Sequence, residues 1–150
     1  MVSMSTSRRR SLLLVPMLAA VAACGSGDST LTGTGIQPTP PTVVTETFSG
    51  TLGRNSAYTH PFAVTDSGDV SVFLLVSADT RDPDNNAITI GVSLGTWNGA
   101  SCAVVIANDK VTPGSSITGR ATAAGNLCVR VYDVGFVSGT AAYELLIDHY

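Results

Sequence analysis

The chain has 150 residues, eight basic and eleven acidic side chains, and a formal net charge of −3. Three of the basic residues, Arg8, Arg9 and Arg10, sit in an N-terminal leader. Removing residues 1 to 23 leaves five against eleven, a charge of −6, and an acidic chain with one lysine is a poor match for a phosphate backbone, which argues against a nucleic-acid partner.

The arginines open a signal-like leader. An apolar stretch of about a dozen residues follows, the length of a signal-peptide core and too short for a membrane span of roughly 20 residues. Pro16 interrupts it. It ends in Val21-Ala22-Ala23-Cys24, which resembles the bacterial lipobox. The resemblance implies a cut before Cys24 and acylation of its thiol, with two or more chains giving stable anchoring at about 0.8 kcal/mol per buried CH₂. Gly25 rather than Asp follows the cysteine, and by resemblance to sorting rules in some bacteria that leans toward the outer membrane. Residues 25 to 42 are Gly/Ser-rich and then Pro-rich, a linker with little to bury. The expected organisation is a signal peptide over 1–23, a lipidated linker over 24–43 and a domain over 44–150.

That domain is long enough for one core, and its Thr, Ser, Gly and Val suit strands and turns. Period-two alternation predicts strands over 44–52, 57–64, 69–77, 87–95, 101–108, 115–121, 127–134 and 141–148. Pro61 makes the second an edge strand or a bulge. In the third, Val70, Val72, Leu74 and Val76 share a face. In the fourth, Ile88, Ile90, Val92 and Leu94 face in while Thr89, Gly91 and Ser93 face out. Turn clusters separate the runs, and no helical stretch of a dozen residues follows Cys24. About eight such strands predict an all-β fold, an antiparallel sandwich or jelly roll.

The closing stretch "AAGNLCVRVYDVGFVSGTAAYELLIDHY" carries a wider likeness. Gly125, Val129, Arg130, Val131, Gly135, Tyr143 and Leu145 sit where the bacterial pre-peptidase C-terminal domain has a glycine turn, a strand, a glycine-rich loop and a closing strand. "FSGTLGRNSAYTHPFAV" is similar to that family's opening and "ITIGVSLGTWNG" to its centre. Cys128 stands where an aromatic is usual. The resemblance implies a β-sandwich that serves secreted proteases in targeting, secretion or substrate contact, with no protease domain attached here.

With Cys24 lipidated, Cys102 and Cys128 are an even pair in an exported chain, and the expectation is a disulfide, against buried free thiols or thiol chemistry. Candidate chemistry is sparse. "GDS" at 27–29 superficially matches an esterase block but lies in the linker. His60 and His149 read as surface or rim residues, and no spacing suggests a carboxylate–His–nucleophile set. Asp82, Asp84, Asn85 and Asn86 in the turn "RDPDNN" form a weak Ca²⁺ candidate without the EF-hand glycine and glutamate. Trp97, at a hairpin tip, and Tyr132 are the aromatic contact candidates for a protein or glycan partner. The sequence therefore predicts a non-enzymatic, cofactor-free, lipid-anchored binding or accessory module of the cell envelope. The alternatives are a structural subunit of a surface assembly and a small envelope hydrolase.

Overall fold

In the computed structural model of the chain, residues 39–81, 84 and 86–150 are described. The expected signal peptide, Cys24, the "GDS" stretch and the expected linker up to residue 38 lie outside the described residues, as do Asp82 and Asn85. Residues 39–43 carry no regular structure.

Eight strands follow: β1 (Val44–Gly53), β2 (Ala57–Val64), β3 (Gly68–Asp79), β4 (Ile90–Trp97), β5 (Cys102–Val111), β6 (Ser116–Ala121), β7 (Gly125–Tyr132) and β8 (Thr140–His149). All pairings are antiparallel, and the two four-stranded sheets have the orders β1-β8-β3-β6 and β2-β7-β4-β5. Between the sandwich and the jelly roll left open by the sequence, this order selects the jelly roll: every connection except β4–β5 crosses from one sheet to the other. Pro61 lies on β2, an edge strand, where its missing N–H removes no ladder bond from a second neighbour.

The core lies between the sheets. Leu52, Val70, Val72, Leu74, Ile90, Val92, Val129, Val131, Leu145 and Ile147 are all buried in one cluster. Each is worth about 1.5–3 kcal/mol relative to exposure. The alternation of β8 is the clearest, with Ala141, Tyr143, Leu145, Ile147 and His149 facing inward in turn. This strand lies between β1 and β3, and its inward residues are buried along its whole length.

Two strands depart from the expected pattern. In β3 the register against β8 jumps between Leu74 and Val76, so Leu75 is an extra residue. The bulge reverses the faces beyond it: Val76, expected inside, is exposed, and Ser77 is buried. The fourth strand starts at Ile90 rather than residue 87. Ahead of it Ala87 makes only an isolated bridge to Ala78, and the Ile88 N–H donates to the Ser77 carbonyl at 2.8 Å.

The disulfide between Cys102 and Cys128 shapes the second sheet. It joins β5 to β7, which are separated by β4. Two interstrand spacings come to about 9.6 Å, yet the two Cα atoms are 5.8 Å apart. The sheet must therefore fold sharply at β4. The fold is possible because position 95 is glycine: a Cβ there would collide with the backbone carbonyl of Ala103 on β5. Register shifts in the β4–β5 ladder, between Ile90 and Val92 and between Leu94 and Gly95, accommodate the curl. In the chain-entropy account, a cross-link over 26 residues contributes about 3.5 kcal/mol.

Both histidines are less exposed than the sequence suggested. His149 is 2% exposed, with Nε2 3.0 Å from Glu46 Oε1 and its ring 5.3 Å from that of Phe62. His60 closes the seam between β1 and β2. Its Nε2 lies 2.8 Å from the Tyr143 hydroxyl, and its ring stacks on Phe48 with centroids 5.0 Å apart. Burial holds the His60 imidazole below its ordinary pKa of 6.5. The unfolded chain therefore binds this proton more readily than the native one, and stability is lost as pH falls below about 6.5. In urea titrations between pH 7.5 and 5, wild type should lose stability relative to His60→Phe as acid is added. A constant difference across that range would show that His60 is not held neutral.

Candidate functional site

The curl of β5 turns the outer face of the β2-β7-β4-β5 sheet concave. The hollow is an open groove of about 530 Å³. Its floor is Ser93 on β4, with Arg130 of β7 and Ala107 of β5 as the cross-strand neighbours of that serine. Val104 lines the curled side, and Tyr132, Asp133, Asn55 and Ser56 line the opposite end.

The outward residues of β4 are Gly91, Ser93 and Gly95, as alternation predicts, yet all three are buried. Their cover explains this. The Tyr132 ring lies over Gly91, where a Cβ would strike it, and the Ala103 carbonyl lies over Gly95. Ser93 is left between them, 1% exposed, and its hydroxyl has no hydrogen-bond partner. A buried hydroxyl without a partner is costly and calls for an explanation.

Tyr132 is fixed from across the groove, its hydroxyl donating to Asp109 Oδ1 on β5. Burial first, and then this hydrogen bond and the negative charge of Asp109, push the phenol pKa up to about 12, with Arg130 opposing. The ring is thus a neutral platform at all ordinary pH. Asp133 has a different task. Burial pushes its carboxyl up, but the backbone N–H groups of Asn55, Val137 and Gly135 more than offset this and hold it below the ordinary value. The Asn55 N–H donates to Oδ2 at 2.9 Å, and those of Gly135 and Val137 donate to Oδ1 at 2.7 and 3.1 Å. Asn55 (φ 53°) and Gly135 (φ 100°) are both left-handed, as the two tight loops require. One carboxylate therefore ties the β1–β2 turn to the β7–β8 loop and closes the end of the groove.

Of the residues singled out by sequence, Tyr132 is in the groove and Trp97 is not. Trp97 is half-buried at the end of β4, opposite Cys102, beside a turn in which Asn98 Oδ1 accepts the N–H groups of Ala100 and Ser101. Asp84 is exposed, and among the described residues no group of three or more His, Cys, Asp or Glu is placed to hold a metal ion. Both histidines point between the sheets, away from the groove. Sequence reasoning missed Ser93, Arg130 and Asn55 as site residues. The available signal was "GVSLG", in which small residues occupy consecutive outward positions, the mark of a strand that something approaches closely.

No protein-family model matches the sequence, and no curated protein matches it. Among solved structures, a chain described by the words "Bacillus endospore appendages form a novel family of disulfide-linked pili" is 15% identical, with 72% of this chain and 88% of that one covered at a TM-score of 0.36. A likeness at that level carries no inference about this chain.

The platform can be tested directly. Asp109→Ala removes the acceptor but leaves Tyr132 partly buried. Ultraviolet titration, with Tyr132→Phe as the blank, should show the phenol pKa falling part of the way from about 12 toward 10. An unchanged titration would mean that Asp109 does not hold the ring.

Proposed function

We propose that the chain is a lipid-anchored protein of the bacterial cell envelope whose jelly roll is a non-catalytic binding module, with the outer-sheet groove as its ligand surface. The observation that carries the reading is the unpartnered hydroxyl of Ser93 at the floor of a groove with a fixed aromatic wall. Convergent polar groups around an aromatic in a hollow of this size are the usual makings of a ligand site. The anchor rests on the ordered leader and the lipobox-like Val21-Ala22-Ala23-Cys24. The resemblance to the pre-peptidase C-terminal family agrees with an accessory rather than a chemical role.

The disposition of the acid–base groups supports a non-catalytic reading over a hydrolase. His60 and His149 are engaged with Tyr143 and Glu46 between the sheets, and the groove's own carboxylate, Asp133, is occupied by backbone donors. Pro61 on β2 and the register shifts on β5 disfavour edge-to-edge joining through the two edges of the β2-β7-β4-β5 sheet.

Two measurements test the two halves of the proposal. Cys24→Ala should shift the protein from the membrane to the soluble fraction and block processing; unchanged fractionation would remove the anchor. In two-dimensional NMR of the mature chain titrated with oligosaccharides and peptides, shifts should gather at Ser93, Arg130 and Tyr132. Shifts gathered elsewhere, or none with any ligand, would remove the groove as the binding surface.

A further inference from the structure

The groove has one cation, Arg130, and two carboxylates, Asp133 in its lining and Asp109 against Tyr132. Its lining residue Asp133 accepts three backbone N–H groups, and Asp109, beside it, accepts the Tyr132 hydroxyl. Arg130 projects from the outer face of β7, between Thr59 of β2 and Ser93 of β4, and is exposed. Among the described residues its guanidinium has no hydrogen-bond or ion-pair partner. The other arginine on a strand, Arg120, is paired with Asp69 at 3.1 Å. What the groove offers a ligand is one cation without a direct partner, one unpartnered hydroxyl and the face of a neutral aromatic ring, with two carboxylates nearby that already accept hydrogen bonds.

Those three groups have a common complement. A guanidinium presents two parallel N–H donors that match a carboxylate, and the pairing is both stronger and more directional than a neutral hydrogen bond. The Ser93 hydroxyl both donates and accepts, as a ligand hydroxyl does in return. An aromatic face beside them suits a ring with an apolar side and polar edges. A sugar ring bearing a carboxylate supplies all of these within one residue. A peptide C-terminus supplies the carboxylate, but its extended backbone has no hydroxylated ring with an apolar C–H face to lay on Tyr132.

We infer that the groove binds an acidic saccharide, a uronic-acid unit, with its carboxylate on Arg130, a ring hydroxyl on Ser93 and its apolar face on Tyr132. This rests on the reading of the groove as a ligand surface and adds the class of ligand.

The test is a calorimetric and NMR titration of the mature chain with glucuronate-containing oligosaccharides, the same oligosaccharides with the carboxylate reduced to an alcohol, and acidic peptides. The acidic saccharide should bind at Ser93, Arg130 and Tyr132. It should lose about tenfold or more in affinity on carboxylate reduction and equally in Arg130→Ala, as expected for a charge-assisted hydrogen-bond pair. Arg130→Lys, which keeps the charge without the fork, should recover only part of that loss, and Ser93→Ala should weaken binding without altering the salt dependence. Arg130 is exposed, so its variants should keep the wild-type spectrum away from the groove. Equal binding of acidic and reduced saccharides in the groove would overturn the inference while leaving the groove a ligand site. Preferential binding of acidic peptides through Arg130 would overturn it in favour of a protein partner. Binding of none of the three would overturn both the inference and the reading beneath it.

Discussion

The Ala103 carbonyl rests against a Cα that carries no side chain, and the outer sheet takes its shape from that contact. A jelly roll with a flat second sheet would expose Gly91, Ser93 and Gly95 to water. Here β5 leans over β4 far enough for Cys102 to reach Cys128 across an intervening strand. Gly95 permits the approach, the register shifts give the ladder slack, and the disulfide holds the result. A surface that would be convex becomes a hollow with Ser93 at its base.

Hydrogen bonds across the hollow then assign each polar group a place. Asp109 reaches from β5 to hold the Tyr132 ring, and Asp133 binds two loops together at the end. Both acids accept hydrogen bonds within the protein, and Arg130 is the cation in the lining of the groove. The histidines serve the fold instead. His60 with Tyr143 and His149 with Glu46 supply polar contacts where the two sheets meet along β1, β2 and β8. Ser77, buried by the bulge in β3, is the other described side chain with an unpaired buried hydroxyl, and nothing in the structure explains it.

Much of the fold was legible because strand alternation and turn chemistry are local. Residues 57–64 match β2 as predicted, and Pro61 correctly marked an edge, since only an edge tolerates its missing donor. The choice of jelly roll over another sandwich depends on which distant strands pair, which periodicity does not encode. The extra residue at Leu75 was illegible for a related reason: it reverses a face only through its pairing with β8. His149, next to the end of the chain, was expected at a rim, but a central strand buries its inward residues up to its last turn. Tyr132 could be suggested as an aromatic at a strand end. Ser93 and Arg130 could not, because the burial of one comes from the curl, set by a cross-link between strands that are not neighbours, and the isolation of the other from its cross-strand neighbours Thr59 and Ser93, which carry no opposite charge.

The central claim is that this cross-link builds the groove rather than merely stiffening the core. Hydrogen exchange of the β-strand domain over residues 44–150, in the chain oxidised and reduced, tests it at the resolution of single strands. The account predicts that reduction exposes the amides of β5 and the outer part of β4 while those of β3 and β8 keep their protection. Uniform loss across all eight strands, or no change in β5, would contradict it.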